Sequence, residues 1–253
     1  MPSVTTPALI LHVMPYGETS KILRLLTREL GLQSAIARGA RRPRARTGAR
    51  LDLFAAGTAT LAVKAQRELH PLTDFELSDA HGALAADVAR FAAASALAEL
   101  ALKCAPPDVH PEVFDTAAAG LDALAAAPDS LLDAVALTAV WALVAALGFA
   151  PALDRCVVCG AGVEGALAFS ASQGGALCRQ HRLGVRTAQL APADAGVLEA
   201  LLAGQLPDPA PDARHAAAHR RLLVGFIRQH MAEERAMPAM AFWDAEAWNA
   251  TSS

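Results

Sequence analysis

Over the first 80 residues, apolar positions fall in short blocks that are either uninterrupted or of period two. Residues 8–14 (ALILHVM) form an apolar run. In 19–28 (TSKILRLLTR), Ile22, Arg24 and Leu26 fall on one side and Leu23, Leu25 and Thr27 on the other. A turn at Gly31 precedes 32–38 (LQSAIAR). Segment 57–63 (GTATLAV) is rich in β-formers, and 67–77 (RELHPLTDFEL) is a weaker fifth candidate. Five short strands separated by turn signals predict a small barrel or sandwich. Periodicity does not choose between these two, and 19–30 also fits a helix.

After Ser78 the period changes. From Ala80 to Lys103, Leu84, Val88, Phe91, Ser95, Ala98 and Leu102 recur at alternating spacings of four and three, one stripe of a helix. Phe114, Ala117, Leu121 and Leu124 repeat the stripe, and Pro106-Pro107 and Pro128 break it. Residues 134–153 carry no charge. With Ser130 as a cap, Gly148 at the end and Pro151 beyond, the helix 131–147 is short for a membrane span and reads as a buried core helix. Pro192–Leu202 and Asp212–Met231 are further helices, the latter with His219, Leu222, Leu223, Phe226, Ile227 and His230 on one face. The stretch from about 151 to 186 has glycines and cysteines but no long helical pattern. Phe242, Trp243 and Trp248 are expected to close the helical bundle.

Composition adds little to this pattern; charge adds more. Hydrophobic residues make up 54% of the chain, but much of that is alanine. Met1–Ile10 contains two prolines and no basic segment, so no secretory signal is expected. Residues 1–80 hold 11 Lys and Arg against 7 Asp and Glu, whereas 81–253 hold 11 against 18. A polyanion would therefore meet the N-terminal part. There, 38–50 reads RGARRPRARTGAR, with Arg38, Arg41, Arg42, Arg44, Arg46 and Arg50 and no acid. Arginines this dense repel one another. A phosphate backbone would neutralise them, and the planar guanidinium can donate two parallel hydrogen bonds to each phosphate. The alternative is a solvated loop without a partner. Lys21, Arg24, Lys64 and Arg67 lie near in sequence and could flank the same groove. Tyr16, in Pro15-Tyr16-Gly17, is the candidate for stacking on bases, while Phe54 and Phe75 read as core. So few aromatics imply binding dominated by the backbone and indifferent to base sequence.

The most specific local signal is Cys156-Val-Val-Cys159, followed by Cys178-Arg-Gln-His181. Two-residue gaps let each pair close a tight turn on one tetrahedral ion, and Cys and His are the donors of structural Zn²⁺ sites. Gly160 and Gly162 would relieve the backbone after the first pair. A redox CxxC would need a βαβ context that is missing. Four ligands leave no open position for catalysis. Cys104 lies in a helical segment and reads as core.

No P-loop, H-E-x-x-H or G-x-S-x-G string is present, so an enzyme is not expected. His215 and His219 are four apart on a helix, with no third ligand beside them in sequence. No helix carries the basic face of a recognition helix, which argues against a transcriptional module. An RNA-binding barrel protein or a zinc-containing adaptor remains the alternative.

The segment TPALILHVMPYGETSKILRLLTRELGLQSAIARGARRP, the later LDLF and the helical C-terminal half with its cysteine insertion resemble the bacterial RecO family of recombination mediators. The resemblance implies an α+β protein. A five-stranded OB-fold barrel (1–79) would be followed by an all-α domain (80–253) with a small zinc-binding insertion at about 151–186. It implies binding of single- and double-stranded DNA, annealing of complementary strands, and action with RecR. It also implies help in loading RecA onto DNA coated by single-strand-binding protein, whose acidic C-terminal tail some members bind. The implied setting is the cytoplasm, in association with the nucleoid. DNA contacts carry over to Arg38–Arg50 and adjacent barrel residues, and the metal ligands to Cys156, Cys159 and Cys178, with His181 in the last position. Annealing would proceed without ATP, with the arginines neutralising phosphates on two strands.

Overall fold

A computed structural model describes residues 3–42, 51–63, 67–106, 108–163, 165–232 and 236–246. The chain divides into two compact units, 1–126 and 127–253. The last barrel strand ends at Asp79, so the three helices that follow belong to the barrel's unit.

The five expected strands are present as β1 (Ser3–Tyr16), β2 (Ser20–Thr27), β3 (Gly31–Ala37), β4 (Ala56–Ala62) and β5 (Leu69–Asp79). They close into a barrel of order β1-β2-β3-β5-β4, with β4 returning to β1 and β3 parallel to β5. Full closure leaves no sheet edge exposed. This decides for the barrel over the sandwich. Ile10, Leu23, Leu25, Ala35, Ala59, Leu61 and Phe75 fill the interior at near-zero exposure. The second face of β1 and β2 is buried as well, at Leu9, Leu11 and Leu26. That is why 8–11 is an uninterrupted apolar run and why 19–30 looked helical: both faces of these strands are covered. Gly57 lets β4 approach β5 closely, since a Cβ there would lie 2.3 Å from the Glu76 carbonyl oxygen.

The predicted single helix over 80–103 is instead two, α1 (Gly82–Ala86) and α2 (Val88–Cys104). Extended Asp87 separates them and caps α2 by accepting from the Arg90 N–H at 2.8 Å. The expected stripe is only partly buried. Val88 and Phe91 are exposed, whereas Ala92, Ala93, Ala94, Ala96, Leu97, Leu100 and Ala101 are buried. Small alanines allow close packing all round a helix, so no single stripe marks the buried side. Phe91 still packs its ring on the edge of Phe54, with centroids 5.7 Å apart. Helix α3 (Pro111–Ala126) buries Phe114, Ala117, Leu121 and Leu124 as patterned. It is tied to the barrel by the two-pronged Arg28–Asp115 pair, at 2.9 and 3.0 Å.

In the second unit, α4 (Leu132–Ala146) packs against α5 (Pro192–Leu202) and α6 (Ala213–His230), and α7 (Pro238–Ala245) closes on α6. Ser130 is not a cap. It lies within a 3₁₀ turn, Asp129–Leu131, that enters α4 without a side-chain cap. The segment Asp129–Ala146 has the length and apolarity to cross a bilayer. However, Val140, Trp141, Leu143 and Val144 are fully buried in this unit, which makes α4 its core helix. Trp141 and Phe169 pack on Phe226 of α6. Trp243 of α7 is buried under Arg220, whose guanidinium donates to the Trp243 carbonyl and pairs with Glu246. Phe242 is exposed, and Trp248 lies outside the described residues.

The C-terminal part is not all-α. The insertion folds a three-stranded sheet of order β7-β6-β8, from β6 (Leu167–Ser170), β7 (Gly175–Leu177) and β8 (Ala188–Leu190). These strands are three or four residues long, too short to show a period. The third runs past the expected end of the insertion at 186.

Candidate nucleic-acid interface and metal centre

Barrel closure brings three separate segments around one open groove of about 730 Å³. The β1–β2 hairpin supplies Tyr16, Thr19 and Ser20, the end of β3 supplies Arg38 and Gly39 with Arg42 beyond, and the entry to β5 supplies Arg67, Glu68, Leu69 and Pro71. Tyr16, the last residue of β1, is 54% exposed. Arg38, Arg42 and Arg67 are exposed. The groove thus joins three guanidinium groups to one exposed aromatic ring. Glu68 lines the same groove, an acid that the reading by sequence overlooked because it sits in an ordinary polar stretch.

Lys21, Arg24 and Arg41 each donate to the protein itself. Lys21 Nζ donates to the Leu51 carbonyl at 2.7 Å, and Arg41 Nη1 donates to the Gly17 carbonyl at 3.2 Å. Arg24 faces Ser34 across the β2–β3 pair and donates to its hydroxyl at 3.2 Å. Lys21 and Arg41 therefore pin the ends of the basic segment to the barrel. Arg44, Arg46, Arg50 and Lys64 lie outside the described residues.

Cys156, Cys159, Cys178 and His181 converge in the second unit, with all four donor atoms within 4.8 Å of one another. Two tight turns do this. The Gly160 N–H donates to the Cys156 carbonyl at 2.8 Å, with Gly160 itself in the left-handed region, and the His181 N–H donates to the Cys178 carbonyl at 3.1 Å. Gly162 does not relieve a strained turn; it pairs in a short bridge with Arg155. The Cys156 Sγ to His181 Nδ1 distance is 3.6 Å, Cys178 Sγ to His181 Nδ1 is 3.2 Å, and Cys159 Sγ to Cys178 Sγ is 3.9 Å. A tetrahedral ion with the usual Zn–S and Zn–N bonds separates sulfurs by about 3.8 Å and sulfur from nitrogen by about 3.6 Å. The donor set fits such an ion.

The local electrostatics also favour a cation. The Cys178 backbone N–H, followed by those of Cys159 and Val158, holds the Cys156 thiol down to about 6, against the desolvation that raises it. Cys178 is lowered by the His181 backbone and ring. Cys159 is raised, because two neighbouring thiols and burial outweigh its own bond from Ala161. Cys178 and Cys156, in that order, raise His181. Two thiolate-prone sulfurs are thus held together beside the His181 ring. His215 and His219 form no such group. His215 Nδ1 is bonded to Asp212 at 2.8 Å, and His219 is buried beside Asp194.

The chain thus joins a closed five-stranded barrel of OB topology, bearing a basic groove, to a second unit of helices with a Cys₃His cluster. Residues 1–81 match the family model for the Recombination protein O N terminal region, and residues 85–236 match that for the Recombination protein O C terminal region. A protein of Anaeromyxobacter dehalogenans named DNA repair protein RecO is 38% identical over 96% of this chain and 97% of its own length. One of the same name from a Nocardioides species is 34% identical over 93% of this chain and 96% of its own. The chain belongs to the RecO family of DNA repair and recombination proteins.

Proposed function

We propose that this chain is a recombination mediator that binds single- and double-stranded DNA through the barrel groove and anneals complementary strands without nucleotide hydrolysis. The observation that carries this reading is the meeting of Tyr16 with Arg38, Arg42 and Arg67 around one groove. Each guanidinium can take two oxygens of a phosphate and release its counterions, and the tyrosine ring can stack on a base of any identity. Neutralising phosphates on two strands lowers the repulsion that keeps them apart, and pairing then proceeds by itself. No bond is made or broken by the protein, so its role is not enzymatic. In the cell, at the nucleoid, it would act with RecR to load RecA onto DNA coated by single-strand-binding protein, and the acidic tail of that protein is a candidate contact.

The second unit would hold a structural Zn²⁺ through Sγ of Cys156, Cys159 and Cys178 and Nδ1 of His181. Such an ion neutralises the thiolates and cross-links the two turns of the insertion. This chain's own residues set the ring and sulfurs in place for it through the backbone bonds described above.

The test is fluorescence anisotropy of a labelled single strand over a range of salt, with strand annealing followed on the same sample. Salt-steep binding and faster annealing without ATP are expected, with DNA preferred to or equal to RNA in competition. No binding at low salt, or binding of RNA alone, would overturn the reading.

A further inference from the structure

A second groove, of about 750 Å³, lies wholly in the unit 127–253, between α6 and the sheet strands β6 and β8. Its sign is opposite to that of its surroundings. The unit as a whole carries 9 Arg against 12 Asp and Glu, yet Arg186, Arg221 and Arg228 line the groove with one acid, Asp194, in its wall, and Asp244 stands 4.0 Å from Arg228. Arg221 and Arg228 are two helical turns apart, about 10.5 Å along α6, and all three arginines are exposed. Between them on α6, Leu222 and Gly225 line the groove.

The groove wall also contains a buried donor with no acceptor. The side chain of His219 is 2% exposed, and among the described residues neither ring nitrogen has a hydrogen-bond partner; the Asp194 carboxylate lies 3.8 Å from Nε2, beyond bonding reach. Burial pushes this imidazole below its ordinary value, ahead of the opposing effect of Asp194. A neutral imidazole carries one N–H, and a buried N–H without an acceptor is a group that a ligand oxygen can satisfy.

We infer that this groove seats a phosphodiester strand, a second nucleic-acid site separate from the barrel groove. The three guanidinium groups along it suit phosphates of one strand, and the His219 N–H supplies a further donor at its wall. The inference rests on the reading that the chain anneals DNA: a strand seated in a second groove would be held beside the one in the barrel groove. An acidic peptide shares part of this chemistry and is the competing occupant.

The experiment uses the full chain and a labelled twenty-residue oligo-dT. Three variants are compared: Arg38→Ala/Arg42→Ala/Arg67→Ala in the barrel groove, Arg186→Ala/Arg221→Ala in the second groove, and the two combined. The His219 ring proton, assigned by NMR with His219→Gln, reports occupancy directly, and circular dichroism checks folding. In the barrel variant, oligo-dT should still bind and shift the His219 resonance, and adding the second pair should weaken that residual binding at least tenfold. Loss of all binding in the barrel variant would remove this second site while leaving the annealing reading intact. Binding unchanged in every variant would sink both readings together. A His219 shift produced by a ten-residue acidic peptide but not by oligo-dT would assign the groove to a protein partner and overturn the proposal.

Discussion

The metal knuckle collects its donors from two tight turns, 156–159 and 178–181, and each turn is built from backbone hydrogen bonds between near neighbours in sequence. The barrel groove collects its residues from 16–20, 36–42 and 67–71, which meet only because β3 pairs with β5 and β1 with both β2 and β4. One site is local and dense in chemistry; the other is assembled by topology from residues that are unremarkable singly. The local site should therefore fail as a unit, since each donor would be one corner of the same ion's shell. The assembled site should fail by degrees, since each arginine contributes its own phosphate contact.

That contrast can be broken by measurement. The largest effect is expected from Cys156→Ser, which should abolish stoichiometric zinc binding and lower the melting temperature of the second unit by on the order of 10 °C, because site formation and local folding are coupled. The salt dependence of DNA binding should stay as in the wild type. Elemental analysis and thermal melts check this, and a full zinc complement in the variant would contradict the ligand set. Zinc should also be lost on dialysis as the pH falls. The Cys156 thiol is held down to about 6, so its thiolate is present above that pH and is protonated as the pH falls through it, in competition with the metal.

Next in size is Arg38→Ala/Arg42→Ala/Arg67→Ala. Three lost phosphate contacts should flatten the slope of log K against log salt by about 2–3 and weaken binding by roughly 10- to 100-fold, while the melting temperature barely moves. An unchanged slope would take the groove out of the DNA interface. Tyr16→Ala sharpens the same point from another side. Loss of one stacked base should cost about 1–3 kcal/mol of binding with the salt slope unaltered, because no charge is removed. A changed slope with unchanged affinity would mean that Tyr16 only shapes the hairpin.

The smallest effect concerns His219. Burial lowers its pKa in the folded protein, so the unfolded chain binds a proton first as the pH drops. The stability it contributes is complete above about pH 6.5 and is lost progressively as the pH falls below that ordinary value. Urea melts at pH 7.5 and 5.5 should show part of the acid loss disappearing in His219→Gln. Equal losses in both proteins would show that other groups carry the acid sensitivity.

The elements that were legible in the sequence are those whose signal is local. All five barrel strands follow from turn residues and apolar blocks, and the four metal donors follow from two short gaps. Helix α2 resisted the same reading because alanine packs on any side, so the stripe through Val88 and Phe91 pointed to positions that are exposed. The sheet of the insertion was missed because strands of three residues carry no period. Lys21, Arg24 and Arg41 read like Arg38 and Arg42 as sequence, yet each donates one side-chain bond within the protein, to Leu51, Ser34 and Gly17.

What the sequence determined by itself was a β part carrying a basic run, a helical part, and a Cys₃His set able to hold a tetrahedral ion. These depend on period, charge density and spacing, which are properties of neighbouring residues. Only the tertiary structure decided that the strands close into a barrel, that Tyr16 and Arg67 share a groove with Arg38 and Arg42, and that His219 is buried without an acceptor beside three arginines. Those features arise from pairing and packing between segments tens of residues apart. A single chain's local pattern carries no record of such distances.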